Sequence, residues 1–161
     1  MSVVASSAFL HQLYNSLCSN SVQSHVMQFL NHPGSSSDYT NMAHAINSWI
    51  QSANSSTVIP GLRVFVIDPN GATTYDSNAG VNNIHSNINK PALDFLTTGK
   101  YMINENLGAR SYIMGAALSQ SGVFSQTKYS NTANKKLLYL AIRQGLSSAE
   151  PHGFIVLAMD A

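Results

Sequence analysis

Two tyrosines and an arginine in the last third of the chain have the side chains and the spacing to hold a small polar molecule. The segment Lys136 to Gln144 reads KLLYLAIRQ. If it is a β-strand, its side chains alternate between two faces, so Tyr139 and Arg143 share one face while the bulky aliphatic residues take the other. Arginine binds a carboxylate through two parallel hydrogen bonds, and tyrosine hydroxyls can complete such a site. We therefore predict a ligand-binding role for Tyr139 and Arg143, with Tyr129 from the preceding strand.

A second pair of candidates lies just upstream, in the segment Gly108 to Ser119, GARSYIMGAALS. Apolar side chains recur there at helical spacing, and Gly122 follows as a stop signal. Arg110 and Tyr112 would lie on a helix that roofs the same site. Two alternatives remain at this stage: a salt bridge or a helix cap would also explain Arg110, and an arginine on a strand is commonly solvated.

The remaining reactive side chains form no catalytic or metal-binding pattern. The six histidines include no HExxH motif and have no cysteine or carboxylate at ligand spacing, which argues against a metal site. Cys18 has no positioned base beside it. Asp68 and Asp76 are better explained as turn and strand-end residues than as a paired-carboxylate mechanism. The sequence thus predicts no enzyme activity, no metal and no cofactor.

The composition narrows the range of partners. Only 9% of the 161 residues are charged, against about a quarter in a typical soluble domain, and the formal net charge is +1. A nucleic-acid or anionic membrane surface needs clustered lysines and arginines, so neither partner is expected. No signal peptide and no stretch of about 18 apolar residues is found. We expect a soluble protein, in the cytoplasm or a virus particle rather than secreted.

Helices are expected in the first part of the chain and strands in the last. Apolar residues at three- to five-residue steps predict an amphipathic helix from Ala8 to Leu30, loosened around Ser19 to Ser21. A second apolar face on this helix suggests a homodimer that forms through it. A further helix is predicted from Asp38, as its N-cap, to about Ser52.

A β-hairpin follows the helices. The run Arg63 to Asp68 is rich in β-branched residues, the turn Pro69-Asn70-Gly71 reverses the chain, and Thr73 to Ser77 returns. After it come an asparagine-rich connection over 78–89, a short helix from Pro91 and an extended piece at 101–103. Three further strands are predicted at Val123 to Ser130, Lys136 to Gln144 and Gly153 to Met159. Lysine, leucine and alanine also favour helices, so a helix over the second of these stays open.

This order indicates one α+β domain over 1–161, with helices in 1–57 and a sheet in 62–159 that is interrupted by a helical insertion at 78–122. The order and four segments of the chain resemble a Cache domain, the PAS-like sensor module. The segments are VFVIDPNGATTYDS, ARSYIMGAALSQSGVFSQTKYS, KKLLYLAIRQ and GFIVLAMDA. Arg110, Ala117-Leu118 and Gly122 match the arginine, the Ala-Leu pair and the glycine that Cache sensors carry before their third strand.

The resemblance implies a five-stranded antiparallel sheet with a long N-terminal helix on one face. Over the other face it implies short helices and a pocket for a small polar metabolite, and it also implies dimerisation through the N-terminal helix. Cache sensors lie between membrane spans and pass ligand occupancy to an effector. The sequence contains neither a span nor an output module, so we expect a stand-alone, non-enzymatic ligand-binding module. The alternative is a structural or interaction protein, for example in a virus particle, whose own side chains fill the pocket.

Overall fold

The helices come first in the chain and most of the strands come last, as predicted. The computed structural model describes residues 5–55, 57–77, 110–130, 134–145 and 152–161. The helices are α1 (Ser7–Ser19), α2 (Val22–Asn31), α3 (Ser36–Ala53) and α4 (Ser111–Leu118). The strands are β1 (Arg63–Ile67), β2 (Thr73–Asp76), β3 (Val123–Ser130), β4 (Lys135–Gln144) and β5 (Gly153–Asp160).

Several predicted segments lie outside the described residues. They are the connection over 78–89, the helix from Pro91, the extended piece at 101–103 and the first two residues of the helix predicted to begin at Gly108. The helix that the structure describes in this region is α4, whose N-cap is Arg110 and whose C-cap is Ser119.

All five strands belong to one antiparallel sheet in the order β2-β1-β5-β4-β3. The segment KKLLYLAIRQ is a strand throughout, paired with β3 on one side and β5 on the other. The helical alternative for this segment is therefore wrong. Its apolar side chains are buried on both faces of a central strand, and such strands read as continuous apolar runs.

The predicted hairpin between β1 and β2 is confirmed, and the side chain of Asp68 fixes its turn. The Asp68 carboxylate accepts hydrogen bonds from the backbone N–H groups of Asn70 and Ala72, both at 2.9 Å. The backbone of Asp68 also donates to the carbonyl of Ala72, and Gly71 takes a positive φ of 90°. Asp-Pro-Asn-Gly supplies these features, because a short carboxylate can cap the turn and glycine accepts left-handed backbone.

The N-terminal helical segment is divided into α1 and α2 at Asn20 and Ser21, within the stretch predicted to be loosened. The Ser19 hydroxyl and the Asn20 amide both donate to carbonyls one turn back, and Ser21 has φ of +65°. Short polar side chains that bond to nearby backbone compete with the helical ladder, so a run of them ends a helix. The chain therefore has two shorter helices here in place of one long helix.

Helix α3 begins earlier than predicted. Its N-cap is Ser35, whose hydroxyl accepts a hydrogen bond from the backbone N–H of Asp38 at 3.2 Å. Asp38 is thus the third residue of the helix and not its cap. Serine followed three residues later by a carboxylate satisfies an N-terminal N–H group and places negative charge at the positive end of the helix.

Each face of the sheet has its own apolar core. We call the face covered by α1, α2 and α3 the helix face, and the face covered by α4 the α4 face. The helix face buries Leu138, Leu140 and Ile142 of β4, as the alternation predicted. The α4 face buries a smaller cluster that includes Tyr139 and Ala141 from the same strand.

Candidate functional site on the α4 face

Charged side chains of the sheet collect on the α4 face. Residues directly opposite each other in antiparallel strands have their side chains on the same face. The strand pairings therefore assign each charged side chain to one face of the sheet. Among the strand residues that the structure describes, every charged side chain that is at least partly buried lies on this face: Arg63, Asp76, Lys128, Arg143 and Asp160. The helix face carries only Lys136, which is exposed. In a chain that is 9% charged, this distribution marks one face of the sheet as chemically distinct.

Three aromatic rings form the centre of the α4 face. Tyr112 of α4 and Tyr139 of β4 are stacked with centroids 4.4 Å apart and planes 9° apart. The ring of Phe65 in β1 meets both edge-on, at 6.2 Å from Tyr112 and 6.5 Å from Tyr139. Each of these geometries is favourable for aromatic pairs. The sequence correctly predicted that Tyr112 and Tyr139 would come together.

Arg143 holds the end of α4. Its Nη1 donates to the carbonyl oxygens of Ala116, Ala117 and Ser119, at 3.1, 3.2 and 2.8 Å. These carbonyls lie at the C-terminal end of the helix, where the helix dipole favours a cation. The sequence suggested either a free carboxylate-binding guanidinium or a solvated one, and the structure has neither arrangement. Within the described residues the buried Nε of Arg143 finds no hydrogen-bond acceptor.

Gly122 provides the space for this contact. Its backbone φ is +76°, and its carbonyl accepts a hydrogen bond from the backbone of Arg143 at 2.7 Å. A Cβ atom at this position would lie 3.2 Å from Cβ, Cζ and Nη2 of Arg143. The glycine after α4 is therefore needed both for its left-handed backbone and because the arginine side chain folds over it.

Arg110 and Tyr129, the two remaining candidates, lie away from the Arg143 contact. Arg110 is exposed and is the N-cap of α4, so it lies at the opposite end of that helix from the Arg143 contact. Tyr129 pairs with Lys136, which places its side chain on the helix face and not with Tyr139 as predicted. The Tyr129 ring is 49% exposed, and its hydroxyl donates to the side chain of Asn134. The prediction failed because it assigned a face to β3 without knowing the register of β3 against β4.

Sequence reasoning missed the ion pair between Arg63 and Asp76. Arg63 Nε and Nη2 donate to the two carboxylate oxygens of Asp76, at 3.0 and 2.6 Å, and the two side chains are 14% and 3% exposed. The Arg63 guanidinium also lies 4.5 Å from the centroid of the Phe65 ring, a cation–π distance. The hairpin contained the necessary signal, because its register sets Asp76 opposite Phe65, two residues from Arg63.

Neither a metal cluster nor a membrane-spanning helix is found in the part of the chain that the structure describes. No group of three or more histidine, cysteine, aspartate or glutamate side chains could hold a metal ion there. None of the described helices combines the length and the apolar character needed to cross a bilayer.

Two solved sensor structures are similar to this chain. The sensor domain of the histidine kinase DctB from V. cholerae has a TM-score of 0.58 and 15% identity, over 84% of this chain and 43% of that one. A domain of a sensory box/GGDEF family protein from Vibrio parahaemolyticus has a TM-score of 0.51 and 15% identity, over 95% of this chain and 59% of that one. No family model and no curated protein sequence matches the chain.

This chain therefore corresponds to about half the length of the sensor structures that it resembles. At 15% identity the similarity concerns the fold and not the residues of a site. The fold assignment is supported by the order of the elements and by the antiparallel sheet with two covered faces. The chain has the α+β, PAS/Cache-like fold that its sequence predicted.

Proposed function

We propose that the protein is a non-enzymatic sensor-type module that binds a small polar metabolite at the α4 face. The observation that carries this proposal is the collection of the sheet's partly buried charges and of three packed aromatic rings on that one face. Burial of charged groups costs free energy, so side chains of this kind are concentrated where a protein needs them for recognition. The sensor-domain fold of the two similar structures supports the same function.

Tyr112 and Tyr139 would form the wall of the binding site, with Arg110 at one end of α4 and Arg143 at the other. Arg143 Nη1 is committed to the helix, so its remaining role would be to offer Nε to a carboxylate or carbonyl oxygen. A buried N–H group without an acceptor costs about 1 to 3 kcal/mol, and a ligand oxygen would recover that cost. Tyr129 is not part of this proposed site, because it lies on the helix face.

Ligand-induced stabilisation tests this function. The protein would be screened by thermal shift against amino acids, carboxylates and purines, and the class that raises Tm would be titrated by calorimetry. Tyr139→Leu should weaken binding of that ligand at least about tenfold, as expected for the loss of an aromatic contact and a hydroxyl. Tyr129→Phe is the matched control and should bind like the wild type. A full screen that leaves Tm unchanged would contradict the proposal.

A second candidate function follows from the same aromatic cluster. The rings of Phe65, Tyr112 and Tyr139 are at most 5% exposed and contact one another, so they fill the space between α4 and the sheet. A module filled in this way would serve as an interaction protein without a ligand. An interaction protein is expected to form the predicted homodimer through α1 and α2. Size exclusion with light scattering tests for this dimer. A monomer that also responds to a ligand class would exclude this second function.

A further inference from the structure

Arg143 and Gln144 are adjacent residues of β4 that hold different layers of the molecule. Successive side chains of a strand point to opposite faces, so Arg143 lies on the α4 face and Gln144 on the helix face. Arg143 binds the carbonyls at the end of α4, as described above. Gln144 is 1% exposed and reaches the helical layer beside the break between α1 and α2.

The contacts of Gln144 form a closed polar cluster. Gln23 Nε2 donates to Tyr14 Oη at 3.0 Å and to Gln144 Oε1 at 3.1 Å. Gln144 Nε2 donates to Tyr14 Oη and to the carbonyl of Ile142, both at 3.3 Å. Tyr14 belongs to α1, Gln23 belongs to the first turn of α2, and Gln144 belongs to the sheet. These three side chains therefore connect both sides of the helix break to the end of β4.

The helix break contains a residue with left-handed backbone. Ser21 is left-handed at φ +65° and provides no side-chain cap for α2. A left-handed serine costs free energy that the surrounding contacts must offset. The cluster of Tyr14, Gln23 and Gln144 lies directly beside this break and supplies such contacts.

We infer that the end of β4 couples two contacts on opposite faces of the sheet. One is the attachment of α4 to Arg143, and the other is the packing of the α1–α2 break against Gln144. We call loss of the second contact the opening of the break. A shift of β4 that releases Arg143 from α4 also moves Gln144, because the two residues share a peptide unit. A displaced Gln144 leaves buried amide groups without partners, so water must enter between α1, α2 and the sheet. This inference does not depend on ligand binding, although a ligand at the proposed site would act on the same connection.

Two discrete arrangements are expected because Gln144 is buried, Tyr14 and Gln23 are partly buried, and their hydrogen bonds depend on one another. With all partners in place, the amide of Gln144 and the Nε2 of Gln23 are hydrogen-bonded, and loss of one contact leaves another of these groups unsatisfied. Such a network closes or opens as a unit. An element with two states that contacts both layers is the physical requirement for coupling between distant sites.

Cys18 provides a native reporter of the opening. It is the only cysteine in the sequence, it is half-buried in α1, and it lies one helical turn after Tyr14. The rate at which a maleimide labels this thiol, measured on the folded protein without ligand, follows the opening of the break. Arg143→Met keeps the unbranched apolar part of the side chain and removes its donors, and it should raise the labelling rate about threefold or more.

Two control variants separate coupling from general loosening. Ser111→Ala removes the 2.6 Å hydrogen bond from Ser111 Oγ to Gln126 Oε1 at the other end of α4, and Lys135→Ala breaks the exposed ion pair with Asp160 at the opposite end of β4 from Arg143. Both should leave the Cys18 labelling rate within about twofold of the wild type. A wild-type rate in Arg143→Met overturns the inference, and so does an equal rise in all three variants.

The reverse measurement is independent of whether Arg143→Met folds. Coupling is reciprocal, so Gln144→Leu on the helix face should speed amide hydrogen exchange in α4 about threefold or more. Exchange in β2 serves as the internal control and should be unchanged. Unchanged exchange in α4 would overturn the inference. Failure here leaves the ligand screen of the proposed function unaffected, because both measurements are made without ligand.

Discussion

The two faces of the sheet are covered by different kinds of side chain. On the helix face, three helices pack aliphatic and a few aromatic residues against β1, β4 and β5, and the polar contacts join uncharged groups such as Tyr14, Gln23 and Gln144. On the α4 face a short helix covers aromatic rings, an ion pair and an arginine that caps a helix end. The same strands supply both faces, so the difference is in the side chains and not in the backbone.

This difference suggests that the helix face contributes mainly to stability and that the α4 face contributes to ligand recognition. Close-packed aliphatic side chains stabilise a fold without offering groups that could distinguish one ligand from another. Buried charges contribute less to stability than apolar residues of the same size, and they persist where they position a group or bind one. We therefore expect truncations in the apolar core of the helix face to change stability alone. On the α4 face, substitutions should change both stability and any binding.

The largest expected effect is loss of one partner of the buried ion pair. Asp76→Asn leaves the Arg63 guanidinium buried without its carboxylate, and the free energy of unfolding in urea should fall by about 3 to 5 kcal/mol. Lys135→Ala is the matched control, because the Lys135–Asp160 pair is 2.8 Å long but 49% and 31% exposed. That control should cost about 0 to 1 kcal/mol. Equal losses in the two variants would contradict the assignment of the Arg63–Asp76 pair as buried and structural.

Truncation on the helix face is the next largest effect. Leu140 of β4 is fully buried, and Leu140→Ala should lower the free energy of unfolding by about 2 to 5 kcal/mol through lost burial and a cavity. Tyr139→Leu, the neighbouring substitution on the α4 face, should cost about 1 to 2 kcal/mol because it keeps an apolar side chain and loses aromatic stacking.

Ligand binding distinguishes these two substitutions further. Leu140→Ala should keep the affinity of the wild type at a temperature where the variant is folded, whereas Tyr139→Leu should not. The comparison of the two faces would be wrong if Leu140→Ala lost binding while Tyr139→Leu kept it. Calorimetric titration with the ligand class found in the thermal screen measures both.

The free energy of unfolding should fall at alkaline pH because two tyrosines pack on the helix face. Burial raises the pKa of both Tyr14 and Tyr75 from 10.0 to about 12. A folded-state pKa above the unfolded value means that the stabilisation is complete below pH 10 and is lost as the pH rises from about 10 to 12. Tyr75 accounts for roughly 2 to 3 kcal/mol of this loss, and the more accessible Tyr14 accounts for less because solvent screens its environment. Urea unfolding at pH 8 to 12 measures it.

Tyr75→Phe identifies the contribution of one tyrosine to this pH dependence. The hydroxyl of Tyr75 donates to Asn47 Oδ1 at 2.9 Å and is enclosed by the helix-face core. Its removal should lower stability at neutral pH and remove at least about half of the decline between pH 10 and 12. Tyr129→Phe, at an exposed ring, should leave the decline unchanged. A decline that is identical in wild type and Tyr75→Phe would show that this hydroxyl is not buried as described.

The sequence predicted the elements better than it predicted the contacts. Strong local signals determined the hairpin, because Asp68, Asn70 and Gly71 act within a few residues of one another. Alternation in β4 correctly separated Tyr139 and Arg143 from Leu138, Leu140 and Ile142. The position of the helix break followed from the polar residues Ser19 to Ser21, because the side chains of Ser19 and Asn20 bond to the preceding turn.

Contacts between distant segments could not be predicted from local sequence patterns. Whether Tyr129 joins Tyr139 depends on how β3 aligns with β4, and a shift of one residue changes the face of every side chain. The partners of Arg143 are backbone carbonyls about 25 residues away, and no side-chain motif marks them. Gly122 was a recognisable stop signal, but its second role as space for the arginine depends on the packed structure.

The position of β5 has a consequence for the order of folding. Residues 153–160 pair with β1 on one side and with β4 on the other, so they are the only described link between the β1–β2 and β3–β4 hairpins within the sheet. Each hairpin can form early from local contacts, whereas closure of the sheet requires a pairing between segments about 90 residues apart in the chain, which is entropically slow. During synthesis on the ribosome, the two halves of the sheet therefore stay separate until these late residues emerge.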